Sequence, residues 1–261
     1  MHTPYSISAK YYDDAYAVKP DLVDLSFYVD LAKQIDGPVL EMGCGTGRLL
    51  LPIARAGVEI NGLDNAPAML NILRERIQNE PVEVRNTIIL HEGDMRQFRG
   101  QKKYALVTIP FRPMQHMYTL EDQVAALKTG AFHLDKNGIL AFDVFFPKFH
   151  LMDLGIGEEM LELEWPVKSH SGRIVRRYFR KDSIDKINHI FYFTFIFRTY
   201  ENDTLVSEET EALKLSYYTY PQFKALFALA GLVSVEEYGS FSKTPLNNDA
   251  KEMIFLLRRA A

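Results

Sequence analysis

Residues 39–48 read Val39-Leu40-Glu41-Met42-Gly43-Cys44-Gly45-Thr46-Gly47-Arg48, and no other stretch of the chain restricts its fold so tightly. A short apolar run ends in three glycines at alternate positions, just where a helix-period segment begins. Glycine at such a joint lets the backbone turn sharply and lets a ligand approach without a Cβ in the way. The surroundings extend the pattern. Pro38–Met42, Glu59–Leu63, Thr87–His91, Ala105–Ile109 and Ile139–Phe146 read as strands. Between them lie helix-period stretches at Arg48–Arg55, Ala66–Gln78 (with Asn65 as N-cap and Pro67 early in the helix) and Thr119–Leu134. Strands alternating with helices imply parallel pairing and right-handed crossovers, which makes a doubly wound α/β sheet.

The period then changes. Arg173–Arg180, Lys186–Tyr200 and Thr204–Ser216 read as three long strands joined by turns at Asp182–Asp185 and Glu201–Asp203, and short joints favour antiparallel hairpins. Phe191, Phe193, Phe195 and Phe197 share one face by the two-residue period. A helix at Pro221–Ala230 closed by Gly231 and strands at Leu232–Tyr238 and Met253–Arg258 bring the α/β pattern back. The expected architecture is therefore a Rossmann-like seven-stranded sheet with an antiparallel β-sheet inserted before the last helix. Its expected divisions are an N-terminal helical cap at 1–37, a cofactor-binding domain at 38–146 with 217–261, and the inserted sheet at 147–216, serving as a lid or a dimer face.

Composition narrows the function. With 261 residues, 47% hydrophobic and 25% charged, the chain is long enough for a large core. A net charge of −4 argues against a broadly basic nucleic-acid footprint. One cysteine rules out an intramolecular disulfide and any cysteine-cluster metal site. The longest strongly apolar tract, Ile190–Phe197, is too short to span a bilayer, and no basic-then-apolar leader opens the sequence. A cytoplasmic protein with no membrane partner is the expectation.

A nicotinamide or flavin fingerprint would read G-x-G-x-x-G, which calls for glycine at position 48, where Arg48 stands. The spacing is G-x-G-x-G after an acidic residue, and in this the chain resembles the class I S-adenosylmethionine-dependent methyltransferases, most of all the bacterial small-molecule ones. The likeness is good over about 38–146 and looser from about 217. It implies that Glu41, Gly43, Gly45 and Gly47 hold the methionine part of S-adenosylmethionine and that Arg48 meets its carboxylate. Asp64 would accept from the ribose hydroxyls. Asn65 and Met69 would border the adenine, with the Asp94 carboxylate on its amino group and the Met95 amide against the ring. Ile109 and Phe111 would line the cofactor.

After the fourth strand, amino-methylating DNA and protein enzymes of this fold carry Asn/Asp-Pro-Pro-Tyr/Phe. Here the residues are Thr108-Ile109-Pro110-Phe111, a departure that speaks against a nucleobase or glutamine acceptor. Phe111, Arg112 and Gln115 would then face a small acceptor, with His116 as general base because imidazole titrates near neutrality. Ala9–Tyr16 resembles the tyrosine-rich opening of small-molecule members, placing Tyr11 against the cofactor and Tyr12 among the catalytic candidates. Tyr192, the phenylalanine row, Tyr217, Tyr218 and Tyr220 are pocket candidates. No His-x-His or HExxH spacing supports zinc; a catechol-type magnesium site at Asp143 is left open, with no evident carboxylate partners nearby in sequence. The expected reaction is methyl transfer to a small molecule, an amine nitrogen favoured over a hydroxyl. A nucleic-acid or protein methyltransferase, a non-catalytic cofactor-binding protein and a nicotinamide oxidoreductase stand as alternatives. A homodimer is left open.

Overall fold

In the computed structural model, residues 7–17, 23–147, 155–167 and 172–260 are described. They fall into two compact units, one of 23–147 with 217–261 and the other of 1–22 with 148–216. The stretch 1–37 is thus divided, its first helix grouped with the antiparallel strands and its second with the larger unit.

The larger unit holds a seven-stranded sheet. Its strands are β1 (Val39–Met42), β2 (Ile60–Asp64), β3 (Ile88–Glu92), β4 (Tyr104–Ile109), β5 (Leu134–Phe145), β10 (Leu232–Tyr238) and β11 (Glu252–Arg259), in the order β10-β11-β5-β4-β1-β2-β3. β1 pairs in parallel with β2 and β4, β2 with β3, and β4 with β5, whereas β11 runs antiparallel to both its neighbours. This is the expected doubly wound sheet. Helices cover both faces, so every residue of β1 and β4 is buried and both strands read as nearly continuous apolar runs. On one face α6 (Leu120–His133) and α7 (Tyr220–Ala230) pack over Leu40, Met42, Val107 and Phe142. On the other, α2 (Val23–Ile35), α3 (Leu50–Arg55), α4 (Pro67–Gln78) and the short α5 (Val82–Arg85) pack over a core that includes Val39, Ile60 and Leu106. A fully buried leucine such as Leu50 contributes roughly 1.5–3 kcal/mol to such a core.

Helix ends follow local chemistry. Thr119 caps α6 by accepting from the Asp122 amide at 3.1 Å. Gly231, at φ +68°, closes α7 in the left-handed conformation. Asn65 is not the cap of α4: Ala66 holds that position, and its amide donates instead to Asp64 Oδ1 at 2.8 Å.

The smaller unit contains α1 (Ser8–Ala17) and a four-stranded antiparallel sheet, β6 (Glu159–Pro166), β7 (Arg173–Asp185), β8 (Ile190–Glu201) and β9 (Thr204–Ser216), in that order. The sequence pattern gives three of these strands and omits β6, seven of whose eight residues are exposed or half-buried. The β7–β8 turn lies four residues later than expected, because Asp185 accepts from the Ile187 and Asn188 amides and closes the turn at 186–189. Asn202 and Asp203, both at positive φ, make the expected tight turn into β9. Phe197 lies in a cluster with Ala15, Trp165 and Val175, and Phe193 in one with Phe179 and Leu213. The phenylalanine row is core within this unit.

No helix among the described residues is long and apolar enough to cross a membrane.

Candidate functional site

In an open α/β sheet the chain order reverses between two neighbouring strands, and the crevice at their carboxyl ends is where ligands bind. Here that point falls between β1 and β4. The glycine loop leaves the end of β1, and Phe111–His116 leaves the end of β4.

The three glycines serve different ends. Gly43, Gly45 and Gly47 all have positive φ, at +85°, +53° and +84°. A Cβ on Gly47 would collide with Leu73 of α4, and one on Gly43 would stand 2.8 Å from Pro113 Cγ. At Gly45 a Cβ would meet nothing within 4 Å, so its left-handed turn opens onto free space. The loop is braced from below. The Gly43 and Cys44 amides donate to Leu63 O at 2.7 and 3.1 Å, and Arg76 donates to Thr46 O at 3.0 Å. The Gly45 amide donates to Asp64 Oδ2 at 2.7 Å. Asp64 thus ties the loop to the start of α4 through both oxygens. Burial raises its pKa, and the amides of Ala66, Gly45 and Asn65 hold it down. An ionised carboxylate has about four acceptor sites, so with three amides against it Asp64 keeps capacity to accept from a ligand hydroxyl.

Glu41 lies 2% exposed beneath the loop, and its Oε2 has no hydrogen-bond partner among the described residues. Burial drives its pKa well up, opposed by Arg48 and reinforced by Asp64. A buried, unpartnered carboxylate oxygen is costly in isolation, and it suits a cationic donor brought in by a ligand.

The other expected residues divide. The methyl carbon of Met95 comes 3.5 Å from where a Cβ on Gly43 would stand, which brings Met95 to the loop. Met69 is half-buried and Asn65 exposed. Arg48 is not a lone cation awaiting a carboxylate. It forms an ion pair with Asp24 of α2, including one bond from Nη1 at 3.2 Å, and its guanidinium lies 4.3 Å from the Phe111 ring centre. Asp94 is likewise engaged: Arg96 Nε donates to both its oxygens at 3.0 and 2.9 Å, and that arginine lowers its pKa. Ile109 is fully buried in the α6/α7 core rather than lining open space. Tyr11 gives its hydroxyl to Glu209 at 2.6 Å and stacks on Phe197 at 4.8 Å, all within the smaller unit. Tyr192 is half-buried there on β8. The side chains of Tyr12 and Tyr16 lie outside the described residues.

Beyond β4 the backbone is under strain. Phe111 and Arg112 occupy the left-handed region at φ +62° and +74°. Each such non-glycine residue costs on the order of 1–3 kcal/mol and persists only where its surroundings over-determine it. The Phe111 amide donates to Asp143 Oδ1 at 2.8 Å, and Arg112 forms a 2.7 Å bond to Glu252 of β11. The 3-10 turn Pro113–His116 follows, pinned by the Tyr218 hydroxyl, which donates to Met114 O at 2.6 Å and lies 3.2 Å from Met117 O. Tyr218 is therefore an anchor rather than a pocket wall, and Tyr220 is an exposed residue bonded to Glu237. Gln115, expected to face an acceptor, is fully buried and accepts from the Phe145 amide at 3.4 Å. His116 is half-buried with Nδ1 3.2 Å from the Tyr118 hydroxyl, and burial lowers its pKa to about 4.

Tyr28 and Glu252 are absent from the residues the sequence singles out for this site, and Asp143 enters there only as a lone magnesium candidate. One signal was there: Asp143 is an acid inside Ala141-Phe142-Asp143-Val144-Phe145, where apolar side chains are the rule. Among the described residues, no group of three or more His, Cys, Asp or Glu side chains is placed to hold a metal ion.

Residues 39–138 match the family described as "Methyltransferase domain". The matched stretch spans the glycine loop, Asp64, Asp94 and the strained turn. A dTDP-3-amino-3,4,6-trideoxy-alpha-D-glucopyranose N,N-dimethyltransferase from Streptomyces venezuelae is 30% identical over 111 residues, 42% of this chain and 44% of that protein. The chain spans less than half the length of the first curated relatives it matches. Among solved structures, the CcbJ methyltransferase from Streptomyces caelestis superposes with a TM-score of 0.80 at 21% identity, covering 97% of this chain and 96% of the other. A SAM-bound amino pentose methyltransferase from Micromonospora echinaspora gives 0.73 at 22%, covering 100% and 99%. The fold is therefore shared along almost the whole chain.

Proposed function

We propose that this protein transfers a methyl group from S-adenosylmethionine to an amine nitrogen on a small molecule, with an amino sugar as the acceptor class. The observation that carries the proposal is the cradle at the switch point. Gly45 turns left-handed onto open space, Asp64 stands beside it with acceptor capacity to spare, and Glu41 offers a buried oxygen lacking a donor. These features fit the cofactor: its ammonium suits Glu41, its ribose hydroxyls suit Asp64, and its main chain needs the space above Gly45. Bound there, S-adenosylmethionine would supply an already activated methyl on a sulfonium. The protein's task is then alignment and exclusion of water, which can lower a barrier by about 7–11 kcal/mol.

The acceptor side is the turn after β4. His116, held neutral down to about pH 4, is a weak base that fits an amine arriving unprotonated better than a hydroxyl needing strong activation. The amino-sugar class is supported by the names of relatives: two Streptomyces amino-sugar N,N-dimethyltransferases at 30% identity over part of their length, and structural neighbours described as amino pentose and sugar N-methyltransferases. The same reading makes the protein cytoplasmic and assigns the smaller unit to acceptor selection or to homodimer contact.

The test is methyl transfer from labelled S-adenosylmethionine to a panel of nucleotide-linked amino sugars, simple amines, alcohols, RNA and protein. Labelling of an amino sugar at nitrogen, absent with its hydroxyl counterpart, is expected. Labelling of RNA or protein alone would overturn the small-molecule reading, and binding of NAD in place of S-adenosylhomocysteine would overturn the whole.

A further inference from the structure

We propose that Asp143 is a positioning residue that holds the Phe111–Arg112 turn in place. Its Oδ1 accepts at once from the Phe111 amide at 2.8 Å and from the Tyr28 hydroxyl of α2 at 2.7 Å. One carboxylate oxygen thereby joins the loop after β4, strand β5 and helix α2. The turn it holds needs holding, since two consecutive non-glycine residues stand in the left-handed region and relax elsewhere unless fixed. What the turn positions is visible as well. The Phe111 ring packs under the Arg48 guanidinium, which is paired with Asp24, so the end of β4 is tied to the start of α3 beside the glycine loop. Movement of the Phe111 amide would move that stack.

The clamp is also an electrostatic device. Asp143 is 1% exposed, and the ionisable groups around it come from three elements: Tyr28 on α2, Arg112 on the turn itself, and Glu252 on β11. Burial, with the like charge of Glu252, raises its pKa to about 7; Tyr28, Arg112 and the Phe111 amide oppose the rise. A carboxylate accepts more strongly when ionised. The grip on Phe111 therefore tightens as pH rises through neutrality and weakens below it. That this turn borders the transfer site rests on the proposed function; that Asp143 holds the turn does not.

The test uses the full chain, labelled with 15N, and follows the Phe111 amide by NMR without any ligand. The wild-type resonance is expected to titrate with a midpoint near 7. Asp143→Asn, which keeps an acceptor oxygen and removes the charge, is expected to keep the amide protected and abolish the titration. Asp143→Ala should speed Phe111 amide exchange by about tenfold or more, the scale of losing one hydrogen bond to a charged group. Tyr28→Phe, the mildest variant, should move the midpoint to higher pH, because the Tyr28 bond lowers the Asp143 pKa. A Phe111 amide equally protected in Asp143→Ala, or a midpoint unmoved in Tyr28→Phe, would overturn the proposal. Titration of S-adenosylhomocysteine against the same samples separates the two claims: a wild-type protein with the expected Phe111 behaviour and no affinity for that ligand would sink the proposed function and leave the clamp standing.

Discussion

Gly45→Ala and Gly47→Ala differ by one methyl group each, sit two residues apart, and should fail in different ways. Both positions lie in the left-handed region, where an L side chain costs roughly 1–2 kcal/mol. At Gly45 the new methyl meets no protein atom within 4 Å, so that backbone term is the whole stability cost. It corresponds to a fall in Tm of about 2–8 °C for a chain of this size. The methyl does occupy the space assigned to the cofactor. Overpacking of that kind costs about 1–3 kcal/mol, or roughly a 5- to 150-fold loss of affinity. At Gly47 the methyl runs into Leu73 and approaches Leu51, adding an overpacking cost to the folded state itself. A loss of about 2–5 kcal/mol follows, and surviving protein should be far less stable than Gly45→Ala. Thermal unfolding gives the first quantity for both variants, and calorimetric titration with S-adenosylhomocysteine gives the second. If Gly45→Ala bound that ligand as tightly as wild type, the space above the loop would not be the cofactor's, and the reasoning would fail.

Three further outcomes are expected. Asp143 has a folded pKa raised from 3.8 to about 7, so the folded state binds the extra proton between those values. Its contribution to stability falls as pH rises through that window, by at most about 4 kcal/mol, and Asp143→Asn should be more stable than wild type at pH 8 in denaturant titrations. An Asn variant less stable at pH 8 would show that the ionised network repays its burial. His116 shows the opposite sign: with a folded pKa of about 4 against a usual 6.5, its contribution is complete above about 6.5 and is lost as pH falls towards 4. Histidine ring NMR should find it neutral at pH 6, and a titration near 6.5 would contradict the burial account. Tyr218→Phe should cost about 0.5–1.5 kcal/mol in urea unfolding, because Met114 O and Met117 O each lose one donor while keeping the Met117 amide and Gln123 Nε2; an unchanged midpoint would mean that water replaces the hydroxyl.

The sheet was legible because its evidence is local. Most strands of the larger unit are apolar runs, three of the crossovers are helix-period stretches, and Gly43-Cys44-Gly45-Thr46-Gly47 marks the joint expected to carry a ligand loop. Asp64 was legible for the same reason, as the acid closing the strand after that joint. Strand β6 was not, since Glu159–Pro166 is mostly exposed and offers little burial to create a pattern. The β7–β8 turn was misplaced because Asp182 and Asp185 are equally good turn formers. Asp182 instead accepts from Arg180 on its own strand and from Thr194 across the ladder, an arrangement that composition does not reveal. Arg48 and Asp94 show the limit for charged residues. Their motif positions were readable, whereas their partners depended on Asp24 in a preceding helix and on Arg96 turning back two residues. The Tyr28–Asp143–Phe111 junction joins groups 115 and 32 residues apart, so no sequence window holds it.

We propose that the loop at the end of β1, with Asp64, holds S-adenosylmethionine. Calorimetric titration of S-adenosylhomocysteine into the wild-type chain and into Asp64→Ala tests it most directly. Binding of one ligand per chain is predicted, weakened by about 1–3 kcal/mol in the variant as bonds to a charged acceptor are lost. No binding to the wild type, or equal binding to both proteins, would contradict it.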